Sequence, residues 1–252
     1  MPGLQIKIPG SGSAFAGSAL GRLFIPPDFN NSLYAGYLFG TDYGAKAGLN
    51  DITGYSRTAT LASGAIGAKG IQCGAGVSVN LPFLDTDLFN TNGEATQIVI
   101  ARLPATPPQT LLSGSYAAAA GGRFLLVNST GTGAASAWTK GDASTINTTT
   151  GADSGVSTVA RMYASAHTRT SAFAYVAGTG RSNLVNTATG ASNGALTGRQ
   201  IRLGDQFADG TFNNGAPLIH GALYYNRALT EANLDSVRAW WTAILAGYSV
   251  PL

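Results

Sequence analysis

The sequence predicts an all-β fold, a sandwich or barrel closed by one short C-terminal helix, and two observations predict it. Short alternating or apolar runs recur between segments rich in Gly, Asn, Ser and Pro, the pattern of strands separated by turns. Almost no helical period occurs before residue 230, so the helices needed for a layered α/β arrangement are missing. The runs fall at 4–8, 33–39, 77–81, 97–102, 123–127, 156–163, 172–177, 200–203 and 218–225.

The first run stands apart. Leu4, Ile6 and Ile8 alternate with Gln5 and Lys7, which gives a strand one apolar face. Pro9-Gly10-Ser11-Gly12-Ser13 then provides reach, and Pro26-Pro27 stiffens the entry to the rest of the chain. Residues 1–28 therefore read as an anchoring arm ahead of one domain, 29–252. A lone strand cannot bury its apolar face, so Leu4, Ile6 and Ile8 must add to a sheet. That sheet belongs to the arm's own domain or, as the hinge favours, to a neighbouring subunit. Further on, residues 128–155 are small and polar with Trp138 the only large apolar group. They read as strands and loops of an exposed sheet, or as mobile loops.

The tail, "LIHGALYYNRALTEANLDSVRAWW" at 218–241, is the most explicit segment. Ile219, Gly221, Leu223 and Tyr225 alternate with His220, Ala222, Tyr224 and Asn226, a period of two. From Leu234 the period becomes helical. Leu234, Val237, Trp241, Ile244 and Leu245 share one side, Thr230 is the N-cap and Glu231 sits in the first turn.

Within that tail, "LYYNRALTEANLDSV" resembles the closing strand and helix of the laminin-G-like or concanavalin-A-like lectin and glucanase jelly-roll superfamily, of the type found in bacteriophage virion proteins. Earlier segments resemble it in the right order: "LYAGYLFG", then "NDITGYSRTATLASGA" with its Asp-x-Thr-Gly loop, "GVSVNLPF", "TQIVIARL", "FAYVAGTG" and "RQIRLGDQF". The resemblance runs from about residue 33 to 245 and implies a two-sheet antiparallel jelly-roll sandwich. It places Leu223 and Tyr225 between the sheets, gives Arg227 the turn, and sets the Trp241 helix over an open end or edge.

Some relatives in this superfamily are glycanases that need two carboxyl groups about 5 Å apart. Glu94 and Glu231 are the only glutamates; neither has an acidic neighbour at that spacing, and both read as structural. His167 and His220 are the only histidines and lack a Gly-x-Ser-x-Gly elbow or further metal ligands, so they read as surface or sheet-face residues. "GTGRSN" at 178–183 reads as a hairpin turn. Cys73, the single cysteine, reads as a small buried residue.

The most interesting polar loop is "GDQFADGTFNNG", 204–215. Asp205, Asp209, Asn213 and Asn214 offer oxygens to a sugar, and Asp205 and Asp209 to calcium, although the spacing is not that of an EF-hand; the favoured reading of the loop is a turn with no ligand. Tyr43, Trp138 and Phe212 read either as aromatic groups with which a sugar ring would stack or equally as packing residues.

Composition narrows the partners. The 15 basic and 12 acidic side chains leave a net charge of +3, scattered singly and without the clusters that neutralise phosphates. Nucleic acid is excluded on that ground. No secretory signal and no membrane span is recognisable. Charged residues are 11% of the chain against about 25% typically, which suits faces buried in an assembly or exposed outside cells. The expected function is a non-enzymatic structural or adhesion module of a phage-like particle, as a tail, fibre or capsid-surface component. It would contact other virion subunits, homo-oligomerise and bind a surface glycan. The alternatives are a free-standing bacterial carbohydrate-binding or adhesion domain, extracellular or on the cell surface, and an enzyme of unrecognised type.

Overall fold

The chain folds as two antiparallel β-sheets packed face to face, with a helix near its C-terminus. The computed structural model describes residues 26–44, 48–74, 76–103, 110–115, 122–127, 135–140, 145–149, 159–181, 185–186, 196–204 and 216–252, and three of these stretches (135–140, 145–149, 185–186) by backbone alone. The strands in chain order are β1 (Leu33–Leu38), β2 (Thr60–Leu61), β3 (Ile71–Gln72), β4 (Val79–Leu84), β5 (Ala95–Arg102), β6 (Thr110–Gly114), β7 (Gly122–Val127) and β8 (Ala135–Lys140). They continue with β9 (Thr145–Thr149), β10 (Arg161–His167), β11 (Ser171–Val176), β12 (Gly180–Arg181), β13 (Val185–Asn186), β14 (Gln200–Leu203) and β15 (Leu218–Tyr225). A single-turn helix α1 (Asp85–Leu88) follows β4, and α2 (Glu231–Ala246) follows β15.

One sheet runs β1-β15-β5-β10-β11-β12, with β3 on β15 and β13 on β11; the other runs β2-β4-β14-β6-β7-β8-β9. Of the expected strand at 156–163, residues 161–163 open β10, residues 159–160 are not strand, and residues 156–158 lie outside the described residues. Residues 128–155 do contribute paired strands, β8 and β9. Strand β6 was not foreseen, because Ser113 and Gly114 interrupt its short apolar run. The structure shows why a serine fits there. Ser113 Oγ donates to Gln97 Oε1 at 2.7 Å, and its remaining lone pairs take the Tyr224 hydroxyl at 2.9 Å, so the polar group is satisfied between the sheets. This buried triad ties β6 of one sheet to β5 and β15 of the other.

The core between the sheets holds Tyr37, Phe39, Leu81, Phe83, Val99, Leu125, Tyr163, Ile201, Ala222 and Tyr224. A second core lies on the outer face of the first sheet, where Leu33, Ile98, Ile100, Leu223 and Tyr225 meet Leu234, Val237, Trp241, Ile244 and Leu245 of α2. Two expectations change here. The helix covers a sheet face, not an end or edge, and Leu223 and Tyr225 point to it while Ala222 and Tyr224 point between the sheets. The cause is a register shift between Ile219 and Gly221. An extra residue in one strand flips all that follow it to the other face. Ile219 therefore stays in the inter-sheet core while Gly221 lies under the helix.

That glycine has a steric reason. A Cβ on Gly221 would sit 2.5 Å from Trp241 Cη2 and 2.8 Å from the carbonyl oxygen of Tyr37, closer than packed atoms tolerate. The indole thus lies directly on the backbone of β15. The helix itself starts as expected: Thr230 is its N-cap, Oγ1 accepts from Asn233 N, and the Asn233 side chain returns to the cap. The five residues assigned to its apolar side are the five it buries. The turn before it is held by Thr96, whose hydroxyl donates to Arg227 O at 2.7 Å and accepts from Leu229 N at 2.9 Å. Arg227 itself is exposed, so its backbone, not its guanidinium, closes the turn. No helix among the described residues is long and apolar enough to cross a membrane.

Trp241→Ala should cost about 3–5 kcal/mol and Gly221→Val about 1–3 kcal/mol of unfolding free energy, measured by urea denaturation. A loss under about 1 kcal/mol for Trp241→Ala would contradict the close seating of α2 on β15.

Candidate functional site

The residues first suspected of binding divide sharply. Asp205, Asp209, Phe212, Asn213 and Asn214 lie outside the described residues, as do Leu4, Ile6 and Ile8. The two ends of the 205–215 segment are described, and both abut the stretch around Cys73. Gly204, at φ +76°, leaves 2.2 Å between a would-be Cβ and Cys73 Cβ, and Cys73 N donates to Pro217 O at 2.9 Å. Cys73 is buried, as expected. Trp138 pairs across to Phe124 and Asn147 in β8, and its side chain lies outside the description.

Tyr43 is corrected by its surroundings. It is 3% exposed, its hydroxyl donates to Lys69 O at 3.0 Å, and its ring meets Tyr248 edge-on with centroids 4.6 Å apart. Burial, then Asp42, pushes its phenol well above the usual range. It is a packing residue and offers no face to a sugar.

Of the two readings of the histidines, the sheet-face one holds and the surface one does not: both lie buried on strands. His220 donates Nδ1–H to Lys69 O at 2.7 Å. His167 is fully enclosed beside Phe89, ring centroids 5.9 Å apart. Burial, and secondarily the charge of Arg123, pulls its pKa from 6.5 to about 3. Arg123 stacks on Phe89 with Cζ 4.4 Å from the ring centroid and donates to Gly93 O at 2.8 Å. Its burial lowers it to about 10, with Asp85 acting in the opposite sense.

Asp85 is buried and accepts at Oδ2 from Ser115 Oγ (2.9 Å), Thr197 N (2.8 Å) and Thr197 Oγ1 (2.7 Å), and at Oδ1 from Gly198 N (2.9 Å). An acid, a base and hydroxyls are thus gathered at one end of the sandwich. They form a staple: the carboxylate pins residues 197–198 to α1 and to the end of β6, and the neutral imidazole is shut away from solvent. Glu94 accepts from Asn90 Nδ2 at 3.1 Å while the same amide reaches Asn226 O at 2.8 Å. Glu231 meets Arg181 Nε at 3.3 Å on the surface. Both glutamates hold turns or the helix start.

A different site comes from residues 48–59, which run along the outer edge of β1 before the chain enters β2 in the other sheet. Gly36 N donates to Asp51 Oδ1 (3.1 Å), Gly36 O accepts from Ile52 N (2.9 Å), and Leu38 O accepts from Gly48 N (2.9 Å). Arg57 Nη1 donates to Tyr34 O at 2.6 Å, and Tyr37 OH donates back to Arg57 O at 2.8 Å. Asp51 Oδ1 also takes Thr53 N and Thr53 Oγ1, so the Asp-x-Thr-Gly loop is a device for pinning this segment to the edge. The fastening brings the guanidinium within cation–π reach of two rings. Arg57 Cζ lies 4.0 Å from the centroid of Tyr34 and 5.1 Å from that of Tyr55.

Tyr34 is braced from behind by Phe83, edge-on at 5.1 Å. Tyr55 is 56% exposed, the most exposed large aromatic group among the described residues. Between Tyr55 and Arg57, Ser56 holds φ +58°, a left-handed conformation uncommon outside glycine. A stiff aromatic and guanidinium stack therefore faces solvent at the side of the sandwich. Sequence reasoning passed over it. Its one signal was "GYSR", a large aromatic beside an arginine in an otherwise small, polar loop.

No protein-family model matches the sequence, and no curated protein matches it significantly. Solved structures share its fold. Domain 4 of AbnA, a GH43 extracellular arabinanase from Geobacillus stearothermophilus, solved with arabinotriose, superposes with TM-score 0.59 and 16% identity over 82% of this chain and 98% of that domain. A botulinum neurotoxin type C structure, from work on cell entry through two ganglioside molecules, gives 0.56 and 12% over 84% of this chain and 51% of that one. Trypanosoma rangeli sialidase with sialic acid gives 0.55 and 14% over 90% and 36%. The chain thus spans about half of the toxin chain and about a third of the sialidase. At these identities the likeness establishes the β-sandwich.

The buried histidines imply a pH dependence with a defined sign. In the unfolded chain His167 titrates near 6.5; folded, it titrates near 3. Between those values the unfolded state binds a proton that the folded state refuses, so stability falls as pH drops from about 6.5 toward 3. His220, lowered by burial first, adds in the same direction. Denaturation of His167→Gln across that window should show a shallower slope than the unsubstituted protein. An unchanged slope would contradict the enclosure of His167.

Proposed function

We propose that this chain is a non-catalytic carbohydrate-binding β-sandwich that recognises a surface glycan at the Tyr34–Arg57–Tyr55 stack. The observation that carries the reading is Tyr55, a ring 56% exposed and backed by a guanidinium that is itself fastened to the sheet edge. Aromatic rings present a flat apolar face with a polar rim, which suits the C–H face and hydroxyl edge of a pyranose. A ring held in advance loses little entropy on binding. The strained Ser56 beside it supports the same reading, because such conformations persist where the surroundings over-determine them and concentrate at functional sites.

The company the fold keeps is consistent with this. The arabinanase domain was solved with arabinotriose, and the toxin is described as entering cells through two gangliosides. The absence of a catalytic role is supported by the enclosure of His167 and Asp85 and by the turn-holding positions of Glu94 and Glu231.

The sparse charge and the Gly/Ser hinge at 9–13 support a setting in a phage-like particle, as a tail, fibre or capsid-surface component in contact with other subunits. In that setting the glycan would belong to the host surface and the protein's location would be the virion.

Tyr55→Ala tests the function. Against a saccharide panel read by calorimetry, the substitution should weaken the bound members at least about tenfold, equivalent to ~1.4 kcal/mol, with the melting transition unchanged. Undiminished binding in Tyr55→Ala would contradict the assignment of the site.

A further inference from the structure

We propose that the saccharide taken by this site is acidic, with Arg57 receiving a carboxylate on the sugar while Tyr55 stacks on the ring. The inference rests on the glycan-binding reading above and specifies its ligand class. Arg57 is only partly buried. Its Cζ lies 4.0 Å from the Tyr34 ring centroid and 5.1 Å from that of Tyr55, and Nη1 is given to Tyr34 O. What the guanidinium has left to offer is its edge of N–H donors, a planar fork that matches a carboxylate in a two-point contact.

No carboxylate among the described residues forms a salt bridge with that fork; Glu231 is taken by Arg181. Asp51, the acid on the same segment, has Oδ1 committed to Gly36 N, Thr53 N and Thr53 Oγ1, and Oδ2 is buried without a hydrogen-bond partner. Asp51 therefore organises the segment and makes no salt bridge to Arg57. The stack also fixes the side chain before the ligand arrives, so a long flexible arginine binds here without being ordered at that moment. The aromatic rings attract the cation electrostatically and help to hold it in place.

The test compares saccharides that differ only in charge at the ring. The probes are trigalacturonate with its methyl ester, and sialyllactose with lactose, measured by calorimetry at low salt. The acid of at least one pair should bind at least tenfold more tightly than its neutral counterpart, and which pair responds separates uronic from sialic acid recognition. Arg57→Lys, which keeps the charge but loses the planar fork, should reduce that preference at least fivefold. Equal binding of acid and neutral forms, lost in Tyr55→Ala, would overturn this inference and leave the glycan site standing. A preference for the acid that survives in a folded Arg57→Lys would overturn it as well. Absence of binding to all four probes and to a broader neutral panel would overturn the site and the inference together. The acid and neutral comparison needs no substitution, so it decides the matter even if Arg57→Lys does not fold.

Discussion

The outer edge of β1 has to be given partners, and much of this molecule depends on how that is done. An open strand edge presents backbone donors and acceptors that would recruit a strand from another chain. Here the partners come from residues 48–59, partly as backbone and partly as side chains: Ile52 N and Gly48 N for two carbonyls, the Asp51 carboxylate for Gly36 N, and Arg57 for Tyr34 O. Because Asp51 and Arg57 reach the edge through side chains, the segment does not become another strand there. It stays irregular and crosses the side of the sandwich to β2. Tyr55 is presented to solvent as a consequence of that crossing.

The opposite requirement governs the faces of the sheet that carries β1. Its central strands β5 and β15 are apolar on both sides, so each face needs a cover. The second sheet covers one and α2 covers the other, with Trp241 seated on Gly221. Some polar groups in these interiors are held by specific partners: Gln97 Oε1, Ser113 and Tyr224 across the sheets, and Asp85 with its four donors at one end. Such bonds have to be made once the groups are buried, and so they set the alignment of the two sheets more narrowly than apolar contact would.

These facts explain what could be read from residues alone. The strands at 200–203 and 218–225 and the five buried positions of α2 were legible because local periodicity reports directly on them. The face assignment of Leu223 and Tyr225 was not, since a bulge near Ile219 leaves no trace in a strand whose two faces are both apolar. Tyr43 and the two histidines were open to an exposed or a packed reading because their types occur in both settings; only tertiary packing decides for burial. The stacking of Tyr55 and Arg57 was not legible for a related reason. Their chemistry depends on a guanidinium stacked on Tyr34, 23 residues away from Arg57, and no short pattern encodes a contact at that range.

The segment closing the β1 edge is also the proposed ligand-binding surface. Amide hydrogen exchange with and without a saturating saccharide, sialyllactose or trigalacturonate, tests it most directly, because it locates bound ligand without presupposing the site. Added protection should fall on residues 48–59 and on the paired backbone of β1. Protection confined to residues 205–215, with 48–59 unchanged, would contradict the account and return the site to the polar loop before β15.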